Sequence, residues 1–89
     1  MIKIYCKIDL YGNKWWYKEG TSILHREDGP AIEYTNGSNF WYQNGELHRI
    51  DGPAMEWTYG DKCWYYHGKE IPVNNQEEFE RYIKLMAFE

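Results

Sequence analysis

The chain has 89 residues, 43% of them apolar and 19% aromatic, with a formal net charge of −4. A chain of this length makes one small domain with a thin core, burying roughly 60–65% of its unfolded surface. The acidic balance and the lack of a polybasic run argue against binding to nucleic-acid backbones or anionic membranes, and no apolar run approaches the ~20 residues of a membrane span.

The first predicted element is a strand. In "MIKIYCKIDL" the residues Ile2, Ile4, Cys6, Ile8 and Leu10 alternate with Lys3, Tyr5, Lys7 and Asp9. Strict alternation is the pattern of a half-buried strand, and it lacks the apolar block of a signal peptide. Its apolar phase does not match that of Ile32/Tyr34 or Met55/Trp57 further on. Cys6 and Cys63 stand far apart in strand-like surroundings, where two reduced thiols of a cytosolic protein are expected. Neither has His partners at metal-ligand spacing, so no metal and no cofactor is expected.

The middle of the chain repeats itself. Residues 24–46 and 47–69 agree at 13 of 23 positions, including all of Leu-His-Arg-x-Asp-Gly-Pro-Ala. A shorter echo, G-x-x-x-W-Y-x-x-G, recurs in "GNKWWYKEG" (12–20), "GSNFWYQNG" (37–45) and "GDKCWYYHG" (60–68). There are thus nearly three units, and internal repetition at this period is the signature of a repeat architecture. Each unit reads as hairpins. Asn44-Gly45 is a strong two-residue turn signal, with Glu19-Gly20 and His67-Gly68 in the same place. Runs rich in Trp, Tyr, Ile and Thr between the turns suit strands of about four to six residues. The expected fold is mainly β: a meandering antiparallel sheet over about residues 2–72.

Asp28-Gly29-Pro30 and Asp51-Gly52-Pro53 read as corners. Pro lacks the N–H that a central strand needs, Gly permits an unusual φ, and Asp bonds the backbone locally. His25 and His48 stand three residues before these aspartates, where an imidazole could brace its own corner through the Asp or a carbonyl. Along the strands, Trp15, Phe40 and Cys63 share a face with Tyr17, Tyr42 and Tyr65, while Trp16, Trp41 and Trp64 face the other way. Both faces therefore carry apolar bulk. One can take a helix; the other must fold over or meet a subunit or partner.

The C-terminus changes period. Asn75 reads as an N-cap with Glu78 as its capping-box partner, Glu77 and Glu78 suit the first turn, and Phe79, Tyr82, Ile83 and Met86 form one apolar stripe. A helix over about 76–88 is expected to cap the sheet or to form a dimer contact.

The pattern G-x3-W-Y-x2-G-x2-H-x2-(D)-G, carried best by "WYQNGELHRIDGPAMEW" (41–57), resembles MORN-type repeats over roughly residues 9–71. The variant "HREDGPA" (25–31) and "HRIDGPA" (48–54) looks like that of small repeat proteins encoded by phages and giant viruses. The resemblance implies tandem antiparallel hairpins that serve as scaffolds and interaction surfaces. This chain replaces the family's His-Gly-x-Gly step with His-Arg-x-Asp-Gly-Pro, which, with the acidic charge, argues against the lipid binding ascribed to some such arrays.

No constellation of catalytic residues is visible. No Ser or Cys stands in a nucleophile-like setting, and His25 and His48 are repeat equivalents, whereas one active site does not need its base twice. The expected function is non-catalytic binding. The candidates are the repeated Trp16, Trp41, Trp64, His25, Arg26, His48 and Arg49, because aromatics and Arg dominate binding hot spots. With the viral look of the repeat, the expected partner is a host protein, blocked by occupancy in the host cytoplasm, and homo-oligomerisation is expected. Two alternatives stand beside this: a sponge that stacks a small nucleotide-like ligand on Trp and Arg, and a structural or scaffolding role.

Overall fold

A computed structural model describes residues 2–86. Its strands are β1 (Ile4–Ile8), β2 (Lys14–Lys18), β3 (Ile32–Glu33), β4 (Asn39–Phe40), β5 (Tyr42–Gln43), β6 (Glu46–Leu47), β7 (Met55–Glu56), β8 (Lys62–Tyr66) and β9 (Lys69–Ile71), followed by helix α1 (Gln76–Met86). The fold is mainly β, as the turn and strand pattern predicts. A seven-stranded antiparallel sheet runs in the order β1-β2-β3-β4-β7-β8-β9, and β5-β6 forms a second, small sheet. The plate measures 41 × 33 × 17 Å, so its thin direction holds little more than one sheet and its side chains.

Several strands are shorter than expected, two residues instead of four to six. For β4 and β5 the cause is a division of labour at Trp41. The Trp41 N–H still bonds across the large sheet, to the Ala54 carbonyl at 2.7 Å, whereas the Trp41 carbonyl turns to the small sheet and accepts from the His48 N–H at 3.0 Å. Residues before Trp41 thereby pair in the large sheet through β4, and residues after it pair with their own return in β5-β6. Trp16 does the same with Ala31 at 2.8 Å, but β2 stays continuous because β1 pairs along its whole length.

The turns follow the local chemistry. Asn44 and Gly45 have φ of 53° and 83°, and His67 and Gly68 have 48° and 83°. Two successive positive φ values match the twist of the flanking strands. The first unit carries two extra residues after Gly20, so its hairpin closes through the Tyr17–Leu24 bridge instead of a two-residue turn.

Cross-strand partners share a face, which settles the phase question. Trp15, Ile32, Phe40, Met55 and Cys63 form one row across the sheet. Here Trp15, Tyr34, Phe40 and Trp57 pack edge to face at centroid distances of 6.0, 5.3 and 4.8 Å. The opposite face carries Lys14, Glu33, Asn39, Glu56 and Lys62 in a row, and beside them Trp16, Trp41 and Trp64. Ile4, Cys6 and Ile8 sit opposite Lys18, Trp16 and Lys14, on this second face. The opening strand is therefore out of phase with Ile32 and Met55 because it points the other way. It is also not half-buried as its alternation predicts: four of its five residues are exposed, because β1 is an edge strand and the helix lies at the far end of the sheet.

Helix α1 begins as the sequence indicates. Asn75 accepts from the Glu78 N–H through Oδ1 at 2.9 Å, and the Glu78 carboxylate reaches back to the Asn74 N–H at 2.9 Å, one residue before the N-cap itself. The apolar stripe closes on β8 and β9, where Phe79, Trp64 and Ile71 form the buried cluster, with Tyr66, Val73, Tyr82 and Ile83 around it. The expected helix end at 87–88 lies outside the described residues.

Candidate functional site

The two Leu-His-Arg-x-Asp-Gly-Pro segments share one set of main-chain and arginine contacts. The His25 N–H donates to the Trp16 carbonyl at 3.0 Å, and the His48 N–H to the Trp41 carbonyl at 3.0 Å. The Arg26 guanidinium then folds over Trp16, 3.9 Å from the ring centroid, and Arg49 lies 3.8 Å over Trp41. Each guanidinium donates from Nε to the corner Asp (Asp28 at 3.0 Å, Asp51 at 2.9 Å) and from Nη1 to the corner Pro carbonyl (Pro30 and Pro53, both 3.1 Å). Glu33 and Glu56 add a weaker second carboxylate at 3.5 and 3.8 Å. A cation over an indole with two charge-assisted or backbone bonds is a specific, planar clamp that Lys would not reproduce.

The corner glycines serve this clamp. Neither Gly29 nor Gly52 has a positive φ, contrary to the expectation that glycine is there for an unusual backbone angle. A Cβ at Gly52 would stand 2.6 Å from the Arg49 Cζ, and one at Gly29 would stand 3.0 Å from the Arg26 Cζ. The side chain is absent so that the guanidinium can pass.

The imidazoles brace the next unit rather than their own corner. His25 Nδ1 accepts from the Asn44 N–H at 2.9 Å, and His48 Nδ1 accepts from the His67 N–H at 2.9 Å. Beside each bond, the Gly45 and Gly68 N–H groups donate to the Leu24 and Leu47 carbonyls at 2.8 Å. The reason is the turn. Its positive-φ residues point two N–H groups at the preceding unit, and the His ring and a carbonyl satisfy both. An accepting Nδ1 places the proton of a neutral ring on Nε2. His48 also stacks on His67 at 4.1 Å. Burial lowers its pKa below 6.5, the neighbouring His67 adds to this, and Glu46 opposes it.

The nominated residues thus separate. Trp64 is 6% exposed and sits under the helix, its Nε1 donating to Gln76 Oε1 at 2.8 Å. His25 is 2% exposed and faces the interior. Trp16 and Arg26 cover one another. Trp41, His48 and Arg49, however, come together in a groove of about 700 Å3 between the two corners. Trp41, Arg49 and Ile50 (61% exposed) line it, together with Glu27, Asp28 and Asp51. Sequence reasoning missed Ile50 and Glu27. Both occupy the single variable position inside His-Arg-x-Asp-Gly-Pro, and that difference between otherwise identical copies was the available signal.

Comparison with protein-family models, with curated proteins and with solved structures finds no match for this chain.

Proposed function

We propose that this chain is a non-catalytic, self-associating protein-binding module, a viral inhibitor that occupies and blocks a host protein in the host cytoplasm. The groove between the corners carries the reading. An indole and an exposed isoleucine make an apolar centre, and carboxylates held by guanidinium groups make a polar surround. That is the anatomy of a hot-spot pocket that receives one large side chain of a partner. The imidazoles and guanidinium groups of the repeats are already engaged in bonds that hold turns and corners, which supports binding over chemistry. The likeness of the repeat to those of phages supports a host protein as the partner.

Affinity capture from a bacterial lysate tests this. One host protein is expected to co-elute with the tagged chain in stoichiometric amount, and the groove variant Ile50→Arg is expected to lose it while melting normally. Equal capture by both would overturn the groove. The nucleotide-sponge reading would replace ours if no protein co-eluted and a nucleotide raised the melting temperature. The three carboxylates along the groove disfavour a phosphate there.

A further inference from the structure

One end of the sheet is left uncovered by the described residues. β1 is its first strand, and its outer side has no partner among the described residues. The Asp9 N–H bonds the Asn13 carbonyl and the Glu19 N–H bonds the Lys3 carbonyl, so the odd residues of β1 spend their main-chain groups on β2. In an antiparallel ladder the alternate residues then point theirs outward. Ile4, Cys6 and Ile8 therefore present free N–H and C=O groups along the same edge on which their side chains stand exposed. An exposed, apolar edge is a template for another strand.

We propose that this edge pairs antiparallel with the same edge of a second copy of the chain, across a two-fold axis at Cys6. The inference rests on the self-association in the reading above and is independent of the groove. The sequence of the strand carries it. With Cys6 opposite the partner's Cys6, Ile4 meets the partner's Ile8, Tyr5 the partner's Lys7, and Lys3 the partner's Asp9. Every pair is apolar, cation on aromatic, or opposite in charge, and each pair off the axis occurs twice, as an isologous contact requires. The neighbouring registers that keep the hydrogen-bond phase fail on charge. A shift one way sets Lys3 against the partner's Lys7, and a shift the other way sets Lys7 against the partner's Lys7. Larger shifts leave only one residue of each β1 opposite the other. Odd shifts oppose outward-pointing residues to inward-pointing ones and form no ladder. Charge and phase together leave one register. A pairing of seven residues on each side is small beside the ~1,200 Å2 of a stable interface, so micromolar association is expected.

Sedimentation velocity across concentrations, with a cross-linking arm, tests the register. The full chain is expected to dimerise. Ile8→Lys and Ile4→Glu are each expected to weaken the dimer by roughly tenfold or more. The double variant, which sets opposite charges across the axis, is expected to restore it. Opposed residues in a hydrogen-bonded pair stand ~5.5 Å apart at Cα, within disulfide reach. Diamide, which takes up the two electrons and two protons of two thiols, should therefore link Cys63→Ser into a dimer and leave Cys6→Ser unlinked. A chain that stays monomeric to millimolar concentration overturns the proposal. So does a dimer indifferent to Ile8→Lys, or one linked through Cys63. If instead a captured host protein is lost with Ile8→Lys while the chain alone is monomeric, the edge receives another protein's strand and the second copy is excluded. Ile50→Arg reports on the groove alone, so the two readings fail separately.

Discussion

The two ends of the sheet are finished in opposite ways. At the C-terminal end, Trp64 lies under helix α1 with Ile71 and the fully buried Phe79. At the N-terminal end, Ile4 and Ile8 are 38% and 65% exposed on a strand with a free edge. The difference shows how the repeat works. Each unit leans on the one after it: His25 on the turn at Asn44, His48 on the turn at His67. The third unit has no successor. Where His48 stands in the second unit the third has Ile71, and where Arg49 stands it has Pro72. The helix replaces both functions, with Phe79 packing in place of the brace and Gln76 bonding both Trp64 and the Ile50 carbonyl. Beside the first unit in the sheet stands β1, which supplies it with hydrogen bonds but, among the described residues, no cover. Arrays of repeats need capped ends, and this one is capped at one end by its own chain.

Breaking the closed end should cost most. Phe79→Ala empties the centre of the cluster under the helix. Truncations of this kind lose about 3–5 kcal/mol, on the order of half the stability of a small domain. The urea midpoint is expected to fall accordingly, and near-ultraviolet circular dichroism should report the freed Trp64. A variant that melts like the wild type would mean that the helix is not what holds the third unit.

The second largest effect is expected at the arginine clamps, which do for the first two units what the helix does for the third. Gly52→Ala introduces a Cβ 2.6 Å from Arg49 Cζ at a residue whose φ is not positive, so backbone strain does not enter. The guanidinium must leave Trp41, Asp51 or the Pro53 carbonyl. Overpacking with loss of the cation–π contact corresponds to roughly 1–3 kcal/mol. Gly29→Ala meets Arg26 only at 3.0 Å and is expected to lose less. Equal losses, or none, in calorimetry of the two variants would show that the clamp adjusts freely.

A smaller effect is expected from pH at the seam between the second and third units. The folded protein holds the His48 pKa below 6.5, through burial and His67. The unfolded chain then binds the proton more tightly than the folded one. The contribution of His48 is therefore complete above about pH 6.5 and is lost as pH falls from there towards the lower folded value. Melting temperature should decline over that window, and His48→Asn, which keeps an acceptor without a titrating ring, should flatten it. The Asp9 carboxyl acts only at lower pH. Desolvation raises its pKa, but bonds from the Asn13 and Trp15 side chains and the Asn13 and Tyr11 N–H groups more than reverse this and hold it below 3.8.

Much of this fold is legible in the sequence because it is local. Asn44-Gly45, His67-Gly68 and the Asn75 cap each act within four residues, and their chemistry decides the backbone directly. What the sequence hides depends on approach in space. Arg26 covers a Trp ten residues earlier, and nothing in its spacing distinguishes a clamp from a free binding group. Gly29 looks like a backbone device and is a clearance for a side chain. His25 has an acceptor for its own corner within reach in sequence, yet bonds a turn 19 residues on. Of the candidate site, Trp41, His48 and Arg49 are visible as types, but their gathering into a groove follows from how successive corners stack. The alternation of β1 shows its apolar row but not that it points away from the core of its neighbours.

The smallest effect on stability is expected at the open end, and it is the sharpest test of the contrast. Ile8→Lys removes an apolar residue as large as Ile71, yet Ile8 is mostly exposed and touches no buried cluster. Surface substitutions away from special features usually stay within about 0.5 kcal/mol. The monomer's unfolding, measured well below the concentration of association, should therefore be nearly unchanged, while the concentration dependence of melting, which mass action gives any self-associating chain, should disappear. A monomer destabilised as strongly as by Phe79→Ala would mean that β1 is part of the core after all, and that its isoleucines hold the first unit rather than a second copy.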